Sequence, residues 1–363
     1  MIWLAMVIFA FLIIRLLVVI TNLITRPWLR SGKSADQPLV SVLVPARNEE
    51  KNLPLLLKSL SGQNYNNIEV IVYNDLSEDR TDQIVSEFST HDGRVRLING
   101  VDLPEGWLGK PHACHRLSEH ARGEYLMFID ADVVIGPELI NQSLSHTRKL
   151  RLDLLSIFPV QIMDSFGERI SVPLMKWILL SLLPLILTRV SGWKAFSAAN
   201  GQFMLFKTEA YRKFSFHKLA KNEIVEDIKI FKLAKKMGLS CQTLIGTHQI
   251  KCRMYGSFSQ AITGFSKNVF EFFGGSILLT AVMVLLTTLG FLPVYLALGF
   301  FYVMVWLTGE MLVRALVAVA ARQNVGLTIL LWPAQQIAFV VVFLNAIKAK
   351  TRGYWEWKGR RVN

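Results

Sequence analysis

The sequence predicts an α/β domain built on a parallel sheet and set between apolar helices at the two ends of the chain. Two observations carry this prediction. Short β-branched or aromatic runs alternate with helix-like segments through the middle of the chain, and the strongly apolar stretches lie outside it. Of the 363 residues, 52% are hydrophobic and 18% are charged. This composition is too apolar for an ordinary soluble protein and too charged for a chain made only of membrane spans.

The first element is the apolar segment IWLAMVIFAFLIIRLLVVI at residues 2–20, whose one charge is Arg15. About 20 apolar residues suffice to cross a bilayer as a helix. The segment has neither the basic start nor the small-residue cleavage site of a secretion signal, so we predict a retained anchor over residues 1–25. The basic residues that follow it predict that the chain emerges on the cytoplasmic side; they are Arg26, Arg30 and Lys33.

The net charge of +13 has two interpretations, a nucleic acid or a membrane surface. The basic residues gather beside the apolar segments, and the sequence shows no zinc-finger spacing or RNA-binding signature. We therefore predict a membrane partner and no nucleic-acid partner. Three cysteines without paired spacing indicate a reducing compartment; they are Cys114, Cys241 and Cys252.

Residues 38–270 are predicted to form one domain in which strands and helices alternate. The strands are predicted over 39–46, 68–75, 95–99, 125–129 and 153–160. The helices between them are predicted over 47–60, 80–88, 113–121 and 137–149. Near-continuous apolar strands separated by helices are typical of a parallel sheet covered on both faces. Ligands of such sheets bind beyond the carboxyl ends of the strands.

The segment at residues 172–190 is apolar but contains Lys176 and Pro184. A buried helix, an interfacial helix and a membrane span are all compatible with this pattern. We favour a helix lying in the membrane interface, because the motifs on both sides of the segment belong to one domain.

A C-terminal transmembrane region is predicted over residues 274–347, followed by a basic tail over 348–363. If the tail is cytoplasmic, the number of crossings in this region is even. Residues 277–321 can make two crossings with a break near Gly290 and Pro293, which leaves residues 326–347 re-entrant. Two charged residues of this region lie one helical turn apart and are expected to pair within the membrane; they are Glu310 and Arg314.

Acidic residues follow three of the predicted strands. Glu49 comes after the first strand, Asp75 after the second, and Asp130 and Asp132 after the fourth. Each cluster alone also fits an ordinary turn or helix cap. Three clusters at one edge of a sheet instead indicate a shared site. Adjacent carboxylates raise each other's pKa unless a cation joins them, so Asp130 and Asp132 are candidate ligands of Mg²⁺ or Mn²⁺.

Lys110 lies in GWLGKPHACH at residues 106–115, which contains Gly-Lys but is not a Walker loop. Pro104 replaces the glycine that the Walker motif requires, and Pro111 replaces its Ser or Thr. We therefore predict that Lys110 is a single cation near a diphosphate. The nearby histidines do not match a common zinc spacing; they are His112, His115 and His120.

Residues 222–238 predict an amphipathic helix with Glu226 and Asp227 in its first turns and Gly238 at its end. Acids at this position either complement the helix dipole or take part in catalysis. In the second case the acid is a general base.

Five segments in chain order resemble the family 2 glycosyltransferases: PARNEE, YNDLSEDRT, GKPHA, DAD and VEDIKIFKLAKKMG. The resemblance covers residues 38–255, and the ordered set is more specific than any of its members. It implies a GT-A fold, which is Rossmann-like with a mostly parallel sheet. It also implies sugar transfer from a nucleotide sugar, with UDP-glucose as the expected donor.

The resemblance further implies the roles of individual residues. Asp227, preceded by Glu226, would be the base, and Asp132 would hold the metal ion with Asp130 beside it. Within the nucleotide-sugar site, Asp75 would contact the base of the nucleotide. The whole set implied for the nucleotide sugar is Pro45, Arg47, Glu49, Asp75, Lys110, Asp130 and Arg253.

Two departures from the family pattern refine this expectation. Asn74 stands where the family usually has an acid, and no Q/RxxRW motif of the processive synthases follows the domain. The chain instead has Arg253 and Tyr255 in KCRMYGSF, which favours transfer of a single sugar. With the terminal spans, this stretch resembles the carotenoid- and hopanoid-associated branch, which includes the diaponeurosporenoate and chlorobactene glycosyltransferases.

The expected protein is thus a multi-pass enzyme of the cell membrane whose catalytic domain faces the cytoplasm and whose acceptor is a lipid such as a carotenoid. Two alternatives remain. One is a transferase that acts on polyprenyl phosphate or diacylglycerol. The other is a non-catalytic membrane protein whose domain only binds a nucleotide.

Overall fold

The computed structural model describes residues 1–32, 36–352, 355–357 and 360–362. Lys33 and residues 353–354, 358–359 and 363 of the basic tail, on which the orientation prediction partly depends, lie outside this range.

The described residues contain twelve strands. In chain order they are β1 (Val40–Ala46), β2 (Ile68–Asn74), β3 (Val95–Asn99), β4 (Tyr125–Ile129), β5 (Val133–Ile135), β6 (Leu154–Phe158), β7 (Val160–Gln161), β8 (Phe203–Lys207), β9 (Cys241–Ile245), β10 (Ile250–Cys252), β11 (Trp355–Trp357) and β12 (Arg360–Val362).

Seventeen α-helices are formed within the same described ranges. The first nine are α1 (Ile2–Thr25), α2 (Leu53–Ser61), α3 (Thr81–His91), α4 (Gly109–His120), α5 (Leu139–Lys149), α6 (Phe166–Ser171), α7 (Pro173–Leu182), α8 (Leu187–Val190) and α9 (Thr208–Phe214). The others are α10 (Phe216–Leu219), α11 (Glu226–Lys236), α12 (Phe258–Asn268), α13 (Ile277–Thr288), α14 (Phe291–Leu298), α15 (Phe300–Ala320), α16 (Val325–Leu330) and α17 (Trp332–Arg352). Two 3-10 turns cover Lys194–Phe196 and Glu271–Phe273.

The central sheet has seven strands in the order β3-β2-β1-β4-β8-β6-β9. Its neighbours pair in parallel except at β8, which is antiparallel to both β4 and β6. The prediction of a mostly parallel α/β sheet is therefore confirmed. Because β8 runs in the opposite direction, its amino end lies beside the carboxyl end of β4. The sequence did not predict this strand. A second, three-stranded sheet in the order β5-β10-β7 adjoins this edge.

The predicted helix over residues 47–60 begins only at Leu53. Residues 47–52 instead form a loop in which Asn48 has a φ of 54°, in the left-handed region. A right-handed helix cannot continue through this conformation. The loop leaves Arg47 and Glu49 at the end of β1, where side chains can face a ligand.

Helix α7 occupies the segment for which we favoured an interfacial helix. Its residues from Pro173 to Ser181 are all buried, and it packs against α1, α15 and α17. The Nζ atom of Lys176 donates a hydrogen bond to the carbonyl oxygen of Pro159 at 2.8 Å, so the ammonium group is satisfied inside the protein. Helix α7 is thus enclosed by protein, as in the buried alternative, whereas Arg189 and Val190 at the end of the predicted segment are exposed.

Two helices of the described chain are long and apolar enough to cross a membrane, α1 and α15. A third crossing arises if Phe258–Phe273 and Ile277–Thr288, which are bent by 103°, count as one span. The break expected near Gly290 separates α13 from α14, and a second break at Gly299, with a φ of 87°, precedes α15.

The expected pair between Glu310 and Arg314 is wrong. Glu310 accepts a hydrogen bond from Arg15 of α1 at 2.7 Å, across 295 positions of sequence. Arg314 donates to the side-chain oxygens of Gln335 at 2.9 Å and Gln336 at 2.7 Å. The helical spacing was suitable, but packing brings each charge a partner from another helix.

Candidate active site

The carboxyl ends of β1 and β2 are joined by Arg47. Its guanidinium group donates to the carbonyl oxygens of Asp75 at 2.7 Å and Leu76 at 3.0 Å. The amide of Asp75 donates to the carbonyl oxygen of Ala46 at 2.8 Å. Pro45 pairs in register with Tyr73 in the adjacent strand. At the carboxyl ends of β1 and β2, the structure therefore brings together three residues predicted for the nucleotide pocket, Pro45, Arg47 and Asp75.

Lys110 links three elements at the same edge. It lies in the first turn of α4, and its Nζ atom is 2.8 Å from Asp130 Oδ2 and 3.3 Å from Glu226 Oε1. Burial lowers the pKa of Lys110, but Asp130 and Glu226 raise it, and the net result lies well above the ordinary value. The side chain therefore stays charged between the end of β4 and the start of α11.

Asp227 is held beside this ion pair by the backbone. Its Oδ2 atom accepts a hydrogen bond from the amide of Gly201 at 2.8 Å, just before β8. Burial, followed by the charge of Glu226, raises the pKa of Asp227 to about 7, although Lys110 and the backbone hydrogen bonds oppose the shift. A carboxyl group that titrates near neutrality suits proton transfer at cellular pH.

Asp132 lies between β4 and β5, and its Oδ1 atom is buried without a hydrogen-bond partner. Burial, followed by the charges of Asp130 and Glu49, raises the pKa of Asp132 to about 7. An unsatisfied carboxylate oxygen among other acids has the chemistry of a ligand for a hard divalent cation. No group of three or more His, Cys, Asp or Glu in the described ranges is arranged to hold a metal. A cation held by Asp132 and Asp130 would have to take its other ligands from water and phosphate.

Gly201 and Gln202 belong to the site, although sequence reasoning did not single them out. A Cβ atom at Gly201 would lie 2.8 Å from Lys110 Nζ and 3.6 Å from Asp227 Oδ2. Gln202 donates to the sulfur of Cys252 at 2.7 Å, and Cys252 lies close enough to Asp132 to oppose the rise in its pKa. The only available signal was an Asn-Gly pair before an apolar run, which is typical of any turn.

Arg253 is not brought to the ion pair. Its guanidinium group lies 2.8 Å from Glu168 and 3.1 Å from Asp164, on the side of α6. We expected the guanidinium group of Arg253 to face a diphosphate, but it forms ion pairs with these two acids instead.

The histidines at the start of α4 pack in an aromatic group. The ring of Trp107 lies 5.5 Å from that of His112 and stacks on that of His115 at 5.3 Å. Burial lowers the pKa of both histidines, so they are neutral at cellular pH. This group borders the segment that carries Lys110.

Comparison with known proteins gives a consistent result. The sequence model of the family described as glycosyl transferase family 2 matches residues 41–214. A relative from Staphylococcus haemolyticus (strain JCSC1435), named 4,4'-diaponeurosporenoate glycosyltransferase, is 30% identical over 66% of this chain and 63% of its own length. A relative of the same name from Staphylococcus aureus (strain USA300) is 26% identical over 89% of this chain and 88% of its own length.

Among solved structures, the fold is similar to that of the mannosyltransferase PcManGT from Pyrobaculum calidifontis, a complex with GDP-Man and Mn²⁺. The TM-score is 0.56 at 16% identity, over 96% of this chain and 99% of that one. The similarity extends through the terminal helices as well as the sheet, and at this identity it concerns the fold alone. The family match, the relatives and the fold agree with the arrangement of acids at the strand ends: residues 41–214 match the glycosyl transferase family 2 model, and the chain has a GT-A fold.

Proposed function

We propose that the chain transfers a single sugar from a nucleotide sugar to a lipid acceptor at the membrane. The observation that carries this proposal is the placement of Lys110 between Asp130 and Glu226, with Asp227 beside this ion pair and Asp132 within reach of its charges. One positive charge and four carboxyl groups thus meet where three elements begin or end. Such a site can bind a diphosphate and a cation at one end and activate a hydroxyl group at the other.

The donor would lie across the strand ends. The site at the ends of β1 and β2, with Arg47 and Asp75, is suited to bind the nucleoside, and Lys110 is suited to bind the diphosphate. Lys110 stands in the first turn of α4, where a cation is disfavoured by the helix dipole and an anion is favoured. A bound diphosphate would therefore be stabilised by both the ammonium group and the helix start. We propose UDP-glucose as the donor.

Asp132 and Asp130 are the residues that would hold Mg²⁺ or Mn²⁺. When bound, such an ion neutralises charge on the leaving diphosphate. Asp130 already contacts Lys110 at 2.8 Å, so the two cations would act on the same phosphates. The fold relative in complex with GDP-Man and Mn²⁺ supports this proposal.

Asp227 is proposed as the general base. In its ionised form it takes the proton from the acceptor hydroxyl while the hydroxyl oxygen attacks the anomeric carbon. The bond from that carbon to the diphosphate oxygen breaks in the same step, so the configuration inverts. A carboxylate acceptor, such as the one denoted by the relatives' name, is already ionised and does not require this proton transfer.

Membrane attachment through α1 and α15 supports a lipid acceptor. The relatives named diaponeurosporenoate glycosyltransferase favour a carotenoid or a related isoprenoid over polyprenyl phosphate or diacylglycerol. We place the active site on the cytoplasmic side, where nucleotide sugars are made.

The proposal is tested with membranes that contain the protein, labelled UDP-glucose, Mn²⁺ and separate carotenoid, polyprenyl phosphate and diacylglycerol fractions. We expect label in a singly glycosylated carotenoid-type lipid and none with Asp132→Ala. Label only in long polysaccharide would refute single transfer. Donor binding without transfer to any fraction would favour the non-catalytic alternative.

A further inference from the structure

The segment over residues 183–200, which includes α8 and the 3-10 turn Lys194–Phe196, connects α7 to β8 and is fixed at its start by α1. We name this segment the bridging loop. The side chain of Asn22 in α1 accepts a hydrogen bond from the amide of Leu185 at 2.7 Å and donates to the carbonyl of Leu183 at 2.9 Å. Asn22 is buried and lies in the last turn of α1. The start of the loop is therefore fixed at the level where α1 ends.

The middle of the bridging loop is held by Lys235, in the last turn of the helix that carries Asp227. The Nζ atom of Lys235 lies within hydrogen-bonding distance of four loop carbonyls, and the side chain is 7% exposed. The oxygens belong to Leu187 at 3.3 Å, Ser191 at 2.8 Å, Trp193 at 3.4 Å and Phe196 at 2.8 Å. One buried cation thus organises the loop backbone, so the side chains on its outer side have fixed positions.

The outer side of the bridging loop presents apolar and basic side chains to the surroundings. Trp193 is 73% exposed and Val190 62% exposed, and the ring of Trp193 stacks on that of Phe196 at 6.2 Å. Arg189 and Lys194 are exposed next to them. An exposed tryptophan on an ordered backbone, flanked by basic residues, has the chemistry of a segment that rests in the headgroup region of a bilayer.

The position of the loop points to the same partner. A helix as long and apolar as α1 ends at the membrane surface if it crosses the membrane. The indole of Trp28 donates to the carbonyl of Ala320 at 2.9 Å, so α1 and α15 end at a common level. Asn22 therefore fixes Leu183 and Leu185, at the start of the bridging loop, within one turn of that level.

We propose that the bridging loop docks on the surface of an anionic lipid bilayer through Trp193 and Val190, with Arg189 and Lys194 contacting the headgroups. The inference rests on the membrane location given under the proposed function. The loop is followed directly by Gly201, whose amide donates a hydrogen bond to Asp227 at 2.8 Å. Docking therefore fixes the distance between Asp227 and the bilayer surface. The polar end of a lipid acceptor emerges at this surface.

The test uses single cysteines labelled with the fluorophore NBD in the full-length protein. The native thiols Cys114, Cys241 and Cys252 are buried, so labelling is selective for an introduced exposed cysteine. The test variant is Trp193→Cys. Ile13→Cys, on the 53% exposed face of α1, is the membrane control. Ser86→Cys is the aqueous control, because it is exposed on α3 beside β3, the edge of the sheet away from β9.

The labelled proteins are reconstituted into vesicles of phosphatidylcholine and phosphatidylglycerol that carry a nitroxide either on the headgroup or in the middle of the acyl chain. We expect the label at position 193 to be quenched by the headgroup nitroxide. The label at position 13 should be quenched by the acyl-chain nitroxide, and the label at position 86 by neither.

The controls separate two kinds of failure. If the label at position 13 escapes quenching, α1 is not in the bilayer and the membrane location itself fails. If the label at position 13 is quenched and the label at position 193 is not, the docking proposal alone is overturned. A blue-shifted but unquenched label at position 193 would mean that protein covers the loop, which also contradicts docking.

A kinetic measurement on Trp193→Ser complements the labelling. We expect a higher KM for a lipid acceptor presented in vesicles and an unchanged KM for the nucleotide sugar, because Trp193 lies outside the donor site. Trp193→Phe should restore the KM for the acceptor. An unchanged KM for the acceptor in Trp193→Ser would contradict the role of the loop at the membrane.

Discussion

At the scale of the residue, the acidic side chains of the site differ in what balances their charge. Asp130 and Glu226 contact Lys110 directly, at 2.8 Å and 3.3 Å. Asp227 relies on backbone amides, and one oxygen of Asp132 lacks a hydrogen-bond partner. The pKa values of Asp227 and Asp132 are both raised to about 7, mainly by burial. Asp227 and Asp132 thus differ from Asp130 and Glu226, the two acids that contact Lys110.

Replacing Asp227 by Asn should reduce kcat for a hydroxyl acceptor by about 10²–10⁴-fold, because general base catalysis typically contributes this much. A base acts in its ionised form, so the rate of the native protein should rise with pH through about 7. The measurement is the pH–rate profile at saturating donor. Near-normal transfer by Asp227→Asn would refute the role of base and favour an anionic acceptor.

Mn²⁺ should stabilise the protein more at about pH 8 than at about pH 5, by about 3 °C in Tm at saturation. The pKa of Asp132 rises from 3.8 to about 7 on folding, so between these values the folded state binds more protons than the unfolded state. Its free energy of unfolding therefore falls as pH rises through this window, and a bound cation offsets the loss.

Thermal unfolding in detergent, with and without Mn²⁺, measures this effect. Asp132→Asn should lose the pH-dependent gain, whereas Asp82→Asn, on the exposed face of α3, should keep it. An equal gain in Asp132→Asn would place the cation elsewhere.

Replacing Gly201 by Ala should lower kcat by about 10²-fold, as expected when a reacting group is displaced by about 1 Å. The new Cβ atom would lie 2.8 Å from Lys110 Nζ, so the ammonium group must move away from Asp130 or Glu226. Gly93→Ala is the matched control, since no atom lies within 4 Å of a Cβ atom there. Full activity of Gly201→Ala with an unchanged Tm would contradict the importance of this close contact.

At the scale of the element, helix α11 connects the candidate active site to the bridging loop. In the sequence, this helix shows only acidic residues at its start and basic residues at its end. Its first turn carries Glu226 and Asp227 into the active site, and its last turn carries Lys235 under the bridging loop. Acids at the start and bases at the end of a helix also complement the helix dipole. The same charge pattern is therefore compatible with a purely structural role and with a catalytic role. The contacts of Lys110 with Glu226 and of Gly201 with Asp227 favour the catalytic role over the purely structural one.

The helices near the membrane are joined by a second buried set of charges. Arg15 of α1 contacts Glu310 of α15 at 2.7 Å, and the guanidinium groups of Arg15 and Arg314 lie 4.9 Å and 4.3 Å from the ring of Trp177 in α7. These contacts attach the two candidate spans to a helix at the base of the catalytic domain. The position of the catalytic domain relative to the two candidate spans therefore depends on them.

Replacing Glu310 by Leu should destabilise the protein by about 3–5 kcal/mol, because it leaves the buried charge of Arg15 without its carboxylate. The double replacement Arg15→Leu with Glu310→Leu should recover much of this loss, since it removes both charges. Thermal unfolding in detergent compares the three proteins. Equal stability of the single and double variants would show that the pair contributes little.

At the scale of the whole molecule, the β9 edge of the sheet adjoins the end of α1, one of the two candidate membrane spans. Trp28, just after α1, forms a parallel bridge with Ile245 at the end of β9. The opposite edge strand of the sheet is β3. In the proposed membrane location, β9 would face the membrane and β3 the aqueous side.

The proposed orientation predicts which positions react with a membrane-impermeant maleimide. Ser86→Cys on α3 should react in inverted vesicles and not in right-side-out vesicles, because the catalytic domain is expected in the cytoplasm. Phe300→Cys, 66% exposed at the start of α15, should react from the other side. Labelling of both positions from one side would contradict a crossing by α15.

The sequence by itself determined the alternation of strands and helices, the long apolar helix α1 and the order of the acids along the chain. Each of these features depends on residues a few positions apart, so local periodicity and strand-end position predict them. It did not reveal the antiparallel strand β8, since a short apolar run has the same pattern in either direction.

Only the tertiary structure decided which charges meet. Arg15 and Glu310 pair across 295 positions, Lys110 joins Asp130 to Glu226, and Lys235 holds a loop about 40 residues away. Arg253, by contrast, is turned toward Glu168. The physical reason is that burial makes an unpaired charge costly, so each charge takes the partner that packing brings within reach. That choice depends on the packing of the whole chain, which is why the local pattern at Glu310 and Arg314 indicated the wrong pair.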